Sequence, residues 1–222
     1  MKKEFLCVIL LFVIVLSVKS QKVYMTGDSH VTSKIYPNTV EGVLEKVYPD
    51  IDFKFWGKVG AKFSSFNETP SYMDSIYNAE PDILIVHLGT NDSYGDFQNE
   101  KFEKELSIFF NDVRKNLPKC KIVFVTPFYN KLKSRKQVKG KKKRQTIYIL
   151  NEGTRKCSQV ILDFAKDKRD VFVIDNNSDA GKIFLSSPQL IRPDNVHLTV
   201  EGYQILGEQI GAKLLDLKGL WN

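Results

Sequence analysis

Residues 82–88 read Asp-Ile-Leu-Ile-Val-His-Leu, and this stretch decides the fold. Five of its seven side chains are apolar, without the alternation of polar and apolar residues that a half-exposed strand has. A near-continuous apolar run of this length is typical of a strand that is covered on both faces, as in a parallel sheet. Polar loop residues, Gly-Thr-Asn-Asp at 89–92, follow at once.

Four more strand-like stretches occur along the chain, at 22–26, 51–56, 121–126 and 171–174. Stretches with helical apolar spacing separate or follow them, at 39–48, 71–79, 100–117, 146–166 and 199–217. Strands that alternate with helices predict a parallel sheet with right-handed crossovers. We therefore expect an α/β fold, a three-layer α/β/α sandwich with a five-stranded, flavodoxin-like parallel sheet. Residues 175–195 are expected to be rich in loops.

The first twenty residues differ in kind from the rest. Lys2 and Lys3 precede an apolar run at 5–18, which is shorter than the roughly 20 residues that span a membrane. This pattern predicts a secretory signal peptide at 1–20, and the alternative is an uncleaved N-terminal anchor. We expect residues 21–222 to form a single domain. The mature protein is expected to be periplasmic or extracellular, without stable membrane insertion.

Positive charge is concentrated in one segment. The chain has a formal net charge of +7, and residues 131–144 carry nine basic side chains and no acidic one. One interpretation is a mobile, solvated loop, since like charges repel and keep a segment extended. The other is a clamp for an anionic polymer outside the cell. Nucleic acid is not expected as a partner, because no aromatic residues interleave the lysines.

The cysteines and histidines predict neither a disulfide nor a metal site. Cys120 opens a predicted strand and Cys157 lies in a predicted helix, so we expect two buried free thiols although export permits a disulfide. The spacing of cysteines and histidines does not match a zinc site. No metal and no other cofactor is expected.

Three residues have the chemistry of an ester-cleaving site. Ser29 follows the first predicted strand, where a hydroxyl would be presented at the carboxyl edge of the sheet. Asp194 precedes His197 by three residues, close enough for its carboxylate to fix one imidazole nitrogen while the other accepts the serine proton. Taken singly, a serine after a strand is more often a turn or capping residue than a nucleophile. Asp194 and His197 are equally well a turn cap and a solvated histidine.

Further polar residues follow the second and third predicted strands. Asn91 could donate from its amide toward an oxyanion, and the backbone N–H of Gly60 could lie near the same point. Ordinary turn chemistry explains each of them equally well. His87 is interpreted as a histidine of the core or the sheet end. Three more residues next to these motifs are candidates for the pocket: Asp28, His30 and Asp92.

These motifs together resemble the SGNH (GDSL-like) hydrolase family. The blocks that carry the resemblance are 27–29, Gly60, 89–92 and the Asp194/His197 pair, spread over nearly all of the mature chain. The resemblance implies the SGNH hydrolase fold, Ser29 as nucleophile, His197 as base and Asp194 as its orienting partner. It also implies an oxyanion hole made by the N–H groups of Ser29 and Gly60 and the side chain of Asn91. The second block matches most loosely, and Gly57 is an alternative to Gly60.

The first block reads Gly-Asp-Ser-His and lacks the leucine that gives the GDSL group its name. With residues 62–66 and 72–73, it is more similar to bacterial carbohydrate O-acetylesterases, including those acting on peptidoglycan, than to lipases. The resemblance therefore implies an esterase that removes O-acetyl groups from a glycan through an acyl-serine, without a cofactor. The alternatives are a lipase-like or thioesterase-like acylhydrolase, an O-acetyltransferase that uses the same serine, and a non-enzymatic glycan-binding module.

Overall fold

The computed structural model describes residues 20–137, 144–178 and 183–218. Nearly all of the predicted signal peptide, residues 1–19, lies outside this part of the chain. The elements in chain order are β1 (Gln21–Gly27), α1 (Ile35–Glu45), β2 (Ile51–Gly57), α2 (Phe63–Glu68), α3 (Pro70–Ala79), β3 (Ile83–His87), α4 (Asn99–Asn116), β4 (Lys121–Val125), β5 (Lys131–Gln137), β6 (Arg144–Leu150), α5 (Glu152–Ala165), β7 (Val171–Ile174), α6 (Ile183–Ser186) and α7 (Val200–Asp216). Short 3-10 helices cover Val31–Ser33 and Pro188–Leu190.

The main sheet has five strands in the order β2-β1-β3-β4-β7, and every pairing is parallel. This order confirms the expected flavodoxin-like arrangement. In the register of the sheet, Gly27 lies beside both Gly57 and His87. The turns that follow β1, β2 and β3 therefore leave the sheet side by side at its carboxyl edge, where open α/β sheets place their ligands.

Helices cover both faces of the sheet, which confirms the three-layer sandwich. The apolar faces of α1 and α7 pack on one side, and those of α2, α3, α4 and α5 pack on the other. All five residues of β3 are buried. Leu84 and Val86 belong to one apolar cluster, whereas Ile83 and Ile85 belong to the other. The apolar run of this strand thus supplies both cores at once.

The segment after β4 is a hairpin, and the sequence prediction was wrong here. We expected a basic loop at 131–144 and then a helix from 146, but β5 and β6 pair as a two-stranded antiparallel sheet outside the main one. The β6 sequence, Arg-Gln-Thr-Ile-Tyr-Ile-Leu, is rich in residues that favour strands. Helix α5 begins only after Asn151, whose side chain caps it by accepting a hydrogen bond from the N–H of Gly153 at 3.1 Å. Residues 138–143 lie outside the described part of the chain.

The remaining predictions concern short helices, the cysteines and membrane spans. Helix α2 was not predicted, because its six residues are too few to display a helical repeat. The described residues of the loop-rich stretch at 175–195 include one helical turn, α6, and one short 3-10 helix. Cys120 and Cys157 are buried free thiols, as predicted. In the ranges that the structure describes, no helix combines the length and apolar character needed to cross a membrane.

Candidate active site

Three side chains distant in sequence form one hydrogen-bonded chain at the carboxyl edge of the sheet. His197 Nε2 lies 2.8 Å from Ser29 Oγ, and His197 Nδ1 lies 2.9 Å from Asp194 Oδ2. Ser29 follows β1, whereas the other two residues lie in the loop before α7. The fold thus brings together the three residues singled out in the sequence, in the order hydroxyl, imidazole, carboxylate.

The carboxylate of Asp194 is fixed from both of its oxygens. Oδ1 accepts hydrogen bonds from the backbone N–H of Val196 at 2.8 Å and of His197 at 2.9 Å, while Oδ2 faces the imidazole. Partial burial raises the pKa of Asp194, but these hydrogen bonds outweigh it and place the pKa below its ordinary value. The carboxylate is therefore ionised at neutral pH and can only accept. In the neutral ring the hydrogen then sits on Nδ1, and Nε2 is left to accept from Ser29.

Asp28 lies beneath the turn that carries Ser29. Its side chain is fully buried, with Oδ1 accepting from the N–H of His30 at 3.0 Å and Oδ2 accepting from Asn91 Nδ2 at 3.2 Å. Burial raises the pKa of Asp28 to about 7. We had expected Asp28 in the pocket wall, but these contacts make it an internal support of the turn instead.

Asn91 links the turns that follow β1, β2 and β3. Besides its hydrogen bond to Asp28, its Nδ2 donates to the carbonyl oxygen of Ala61 at 3.1 Å. Gly60, the residue before Ala61, is exposed and has a φ of +76°, a backbone conformation that favours glycine. Gly57 instead packs on the backbone, because a Cβ there would lie 2.8 Å from the carbonyl oxygen of Asp28. Of the two glycines considered, Gly60 adjoins the carbonyl group that Asn91 binds.

His30 and His87 form a buried stack under the hydrogen-bonded chain. Their rings are stacked at 5.5 Å, and the ring of His30 also lies 5.5 Å from that of His197. The hydroxyl of Tyr203, from α7, lies 3.1 Å from His30 Nδ1. Burial lowers the pKa of His87 to about 3 and lowers that of His30 well below its ordinary value, so both rings are neutral. His30 was predicted in the pocket, but it is wholly buried below it.

Asp92 lies apart from the three-residue chain. Its Oδ1 accepts from the N–H of Phe63 at 3.3 Å, at the start of α2, and burial raises its pKa to about 6. It lines a cavity of about 210 Å³, which Lys62 and Tyr94 also line. Asp92, one of the predicted pocket residues, thus lines a cavity.

Sequence reasoning missed several supports of the site. The turn after β3 is held by Ser93, whose Oγ donates to the carbonyl oxygen of Thr90 at 2.6 Å and accepts from Asn151 Nδ2 at 3.0 Å. Gly153 allows this approach, because a Cβ there would lie 2.0 Å from the carbonyl oxygen of Ser93. The only sequence signal was the Asn-Glu-Gly run at 151–153, which is typical of a helix start. Across the described ranges, no group of three or more His, Cys, Asp or Glu side chains is placed to hold a metal ion.

Comparison with known families identifies this arrangement. The family model for the GDSL-like lipase/acylhydrolase family matches residues 27–205, from the first residue of the Gly-Asp-Ser motif into α7. The chain belongs to this family. It is therefore a carboxylic ester hydrolase, and the region matched includes Ser29, Asn91, Asp194 and His197.

Solved structures with the same fold include several carbohydrate esterases. The acetyl xylan esterase AlAXEase superposes with a TM-score of 0.68 at 18% sequence identity, covering 87% of this chain and 99% of that one. A catalytic mutant of Axe2, an acetylxylan esterase from Geobacillus stearothermophilus, gives 0.67 at 18% identity, with 87% and 94% covered. A carbohydrate esterase family 3 structure from Talaromyces cellulolyticus gives 0.66 at 19% identity, with 89% and 97% covered. No curated protein sequence matches the chain.

Proposed function

We propose that this protein is an exported serine esterase that removes O-acetyl groups from a carbohydrate. The observation that carries the proposal is the chain of hydrogen bonds from Ser29 Oγ through His197 to the ionised Asp194. A hydroxyl that donates to an imidazole whose other nitrogen is held by a carboxylate is an activated nucleophile. Export is inferred from the basic and apolar pattern of residues 2–18.

In the proposed mechanism, Ser29 attacks the acetyl carbonyl carbon while His197 Nε2 takes the hydroxyl proton. The carbonyl oxygen becomes an oxyanion, which the N–H groups of Ser29 and Gly60 and the amide of Asn91 stabilise. The tetrahedral intermediate collapses as His197 returns the proton to the departing sugar hydroxyl. A water molecule, deprotonated by His197, then attacks the acetyl-serine, and collapse of the second intermediate releases acetate and restores Ser29.

The amide of Asn91 has two hydrogens, and Asp28 Oδ2 and Ala61 O accept them in the free protein. Donation to the oxyanion thus exchanges one of these hydrogen bonds for a charge-assisted one. Because Gly60 adjoins Ala61, whose carbonyl oxygen accepts from Asn91, we infer that the N–H of Gly60 and the amide of Asn91 act on the same oxyanion. This exchange occurs only when negative charge develops, so it stabilises the transition state more than the bound ester.

A carbohydrate substrate is inferred from the Gly-Asp-Ser-His motif and from the fold neighbours, which include acetylxylan esterases and a carbohydrate esterase. The experiment is acetate release from acetylated xylan, acetylated peptidoglycan and p-nitrophenyl esters of two and eight carbons, by the mature protein and by Ser29→Ala. We expect serine-dependent acetate release with preference for the two-carbon ester. Preference for the eight-carbon ester with no acetate from any glycan would contradict the proposal and favour a lipase-like enzyme.

A further inference from the structure

A cavity of about 440 Å³ opens beside the loop that carries Asp194. Its walls come from Tyr129 and Lys131, at the start of the hairpin, and from Arg192 and Asn195, on either side of Asp194. This volume is in the range of small-ligand sites, and it accommodates a sugar ring with its substituents. Nothing in the mechanism proposed above uses this cavity.

The cavity is connected to the site through packed aromatic rings. Phe184, which lines it, is almost fully buried, and its ring lies 5.6 Å from that of Phe128. The ring of Phe128 lies 5.2 Å from that of His30, the residue after Ser29. These buried rings pack between the cavity and the turn of Ser29. At the surface, Pro193 and Asn195 of the lining flank Asp194, whose Oδ2 lies 2.9 Å from His197 Nδ1. A ligand in the cavity would therefore lie next to the hydrogen-bonded chain.

The charge of the lining is positive. Lys131 and Arg192 are both exposed, and neither takes part in the ion pairs formed among the described residues. No acidic side chain is in the lining, and the nearby carboxylate of Asp194 is occupied by His197 and Val196. Two cations without acidic partners in one cavity favour an anionic ligand, and a guanidinium matches a carboxylate with two parallel hydrogen bonds.

The remaining lining suits the ring of a sugar. Tyr129, Ile191 and Pro193 supply apolar surface, against which the C–H face of a pyranose packs while its polar groups reach outward. Lys131 is also the first residue of β5, whose sequence contains four basic residues and no acidic one. The basic residues thus extend from the cavity lining into the sequence of β5. A run of like charges that extends beyond one small cavity is typical of a site for a polymer.

We propose that this cavity binds a sugar that carries a carboxylate, so the substrate is an O-acetylated acidic glycan containing uronic acids. This inference rests on the proposed function and narrows its substrate class. Lys131 and Arg192 contact the carboxylate, and the apolar wall contacts the ring of a sugar next to the acetylated one. The acidic sugar does not take part in the reaction, and its binding positions the acetyl group at Ser29.

The test is acetate release from one acetylated oligogalacturonate prepared in two forms, the free acid and the methyl ester. Both forms keep the acetyl groups, and only the charge differs. We expect the mature wild-type protein to favour the free acid about tenfold in kcat/KM, because two exposed charge pairs that each contribute a few-fold combine to an effect of this size. This preference should shrink on raising sodium chloride from 20 mM to 500 mM, because salt screens exposed charges.

The variant pair is K131Q/R192Q and a control, K46Q/R169Q. Both remove two positive charges, but Lys46 and Arg169 are exposed cations at the opposite, amino edge of the sheet, next to the starts of β2 and β7. We expect the preference for the free acid to fall to within twofold of unity in the first double variant and to stay at the wild-type value in the control. A preference that falls equally in both would assign the effect to net charge and overturn the inference.

The remaining outcomes separate this inference from the proposed function. An unchanged preference in K131Q/R192Q, with acetate still released, would overturn the acidic-sugar site and leave the esterase standing. Activity on p-nitrophenyl acetate without acetate release from either oligomer would likewise overturn the acidic-sugar site and leave the esterase standing. Faster cleavage of p-nitrophenyl octanoate than of the acetate would assign the cavity to an acyl chain and overturn the site. Failure on the oligomers and on every p-nitrophenyl ester would contradict the proposed function itself.

Discussion

Asn91 donates from Nδ2 to Oδ2 of Asp28 across 3.2 Å, and this hydrogen bond ties the turn after β3 to the turn after β1. The second hydrogen of the same amide goes to the carbonyl oxygen of Ala61, in the turn after β2. One side chain therefore fixes three neighbouring turns. Because these turns carry the proposed nucleophile and oxyanion donors, Asn91 is expected to matter for rate more than for stability.

Replacing Asn91 with alanine should lower kcat on p-nitrophenyl acetate by roughly 10²–10³, as loss of one oxyanion donor does. KM should change much less, because the interaction is formed mainly in the transition state. Steady-state kinetics at saturating ester measure this directly. Asn116→Ala is the matched control, since its amide also donates two hydrogen bonds, both to Asp112 at the end of α4, far from the site. A kcat for Asn91→Ala within fivefold of the control would remove Asn91 from the oxyanion hole.

Asp28 should make the stability of the protein depend on pH. Its pKa is raised from 3.8 to about 7 by burial, so between these values the folded state holds a proton that the unfolded state has lost. The stabilisation from this proton is complete below pH 4 and disappears as the pH rises through 7. Relative to Asp28→Asn, the wild type should lose up to about 1.4 kcal/mol of unfolding free energy per pH unit in this window.

Urea unfolding of both proteins at pH 4.5, 6 and 8 tests this dependence. The substitution has its own cost, because an amide cannot accept from both His30 and Asn91 as the carboxyl does, but that cost does not vary with pH. Asp92, whose negative charge contributes to raising the pKa of Asp28, titrates in both proteins. Stability curves that stay parallel from pH 4.5 to 8 would show that Asp28 is not protonated in the folded state.

His87 should have the opposite dependence on pH. Burial lowers its pKa from 6.5 to about 3. Between these pH values the unfolded state therefore binds a proton at this ring and the folded state does not. Its stabilisation is therefore present above pH 6.5 and lost as the pH falls toward 3. Both ring nitrogens lack a hydrogen-bond partner among the described residues, so an apolar replacement should cost little at neutral pH.

Accordingly, His87→Leu should have a free energy of unfolding within about 1 kcal/mol of wild type at pH 7.5. At pH 5 it should be more stable by roughly 2 kcal/mol, because the wild-type ring resists protonation over about 1.5 pH units below its unfolded pKa. Denaturant unfolding at the two pH values gives both numbers. An equal difference at both pH values would contradict the neutral, unpartnered state of this ring.

Gly27 cannot carry a side chain. A Cβ at this position would lie 2.3 Å from the carbonyl oxygen of His87 and 2.6 Å from Val31 Cγ2. Gly27→Ala should therefore destabilise the protein by about 2 kcal/mol or more and displace the turn of Ser29. Gly42→Ala is the same chemical change inside α1, where a Cβ meets nothing within 4 Å, so it should stabilise by about 0.5–1 kcal/mol. Thermal unfolding compares the two, and equal melting temperatures would contradict the close approach of β1 and β3.

Much of the fold was predictable because the patterns of apolar residues that indicate its strands and helices are local in the sequence. The apolar run of β3 and the strand-like stretches on either side gave the parallel sheet, and the element boundaries agree within a few residues for β1, β4, β7 and α4. The three residues of the hydrogen-bonded chain were also predictable as a group, because a serine just after the first strand and an aspartate three residues before a histidine have the chemistry of one ester-cleaving site. Their distances were not, because they depend on how the loop before α7 folds back over β1.

What could not be predicted depends on tertiary contacts. The segment at 146–150 has apolar residues that fit a helix or a strand, and only pairing with β5 decides between them. The burial of Asp28 and His30 was missed because polar residues beside a predicted nucleophile are expected to face the substrate. Tyr203 was missed because its contact with His30 spans 173 positions of sequence. The cavity at Lys131 and Arg192 likewise joins segments that are distant along the chain.

The central claim is that Ser29 is the nucleophile and that His197 activates it. The most direct measurement is labelling of the mature protein with a fluorophosphonate, followed by peptide mass spectrometry to locate the adduct. We predict one phosphonylated residue, Ser29, with labelling abolished in Ser29→Ala and slowed at least 100-fold in His197→Ala, because general-base catalysis contributes about 10²–10⁴. An adduct on another residue, or unchanged labelling of Ser29→Ala, would contradict the account.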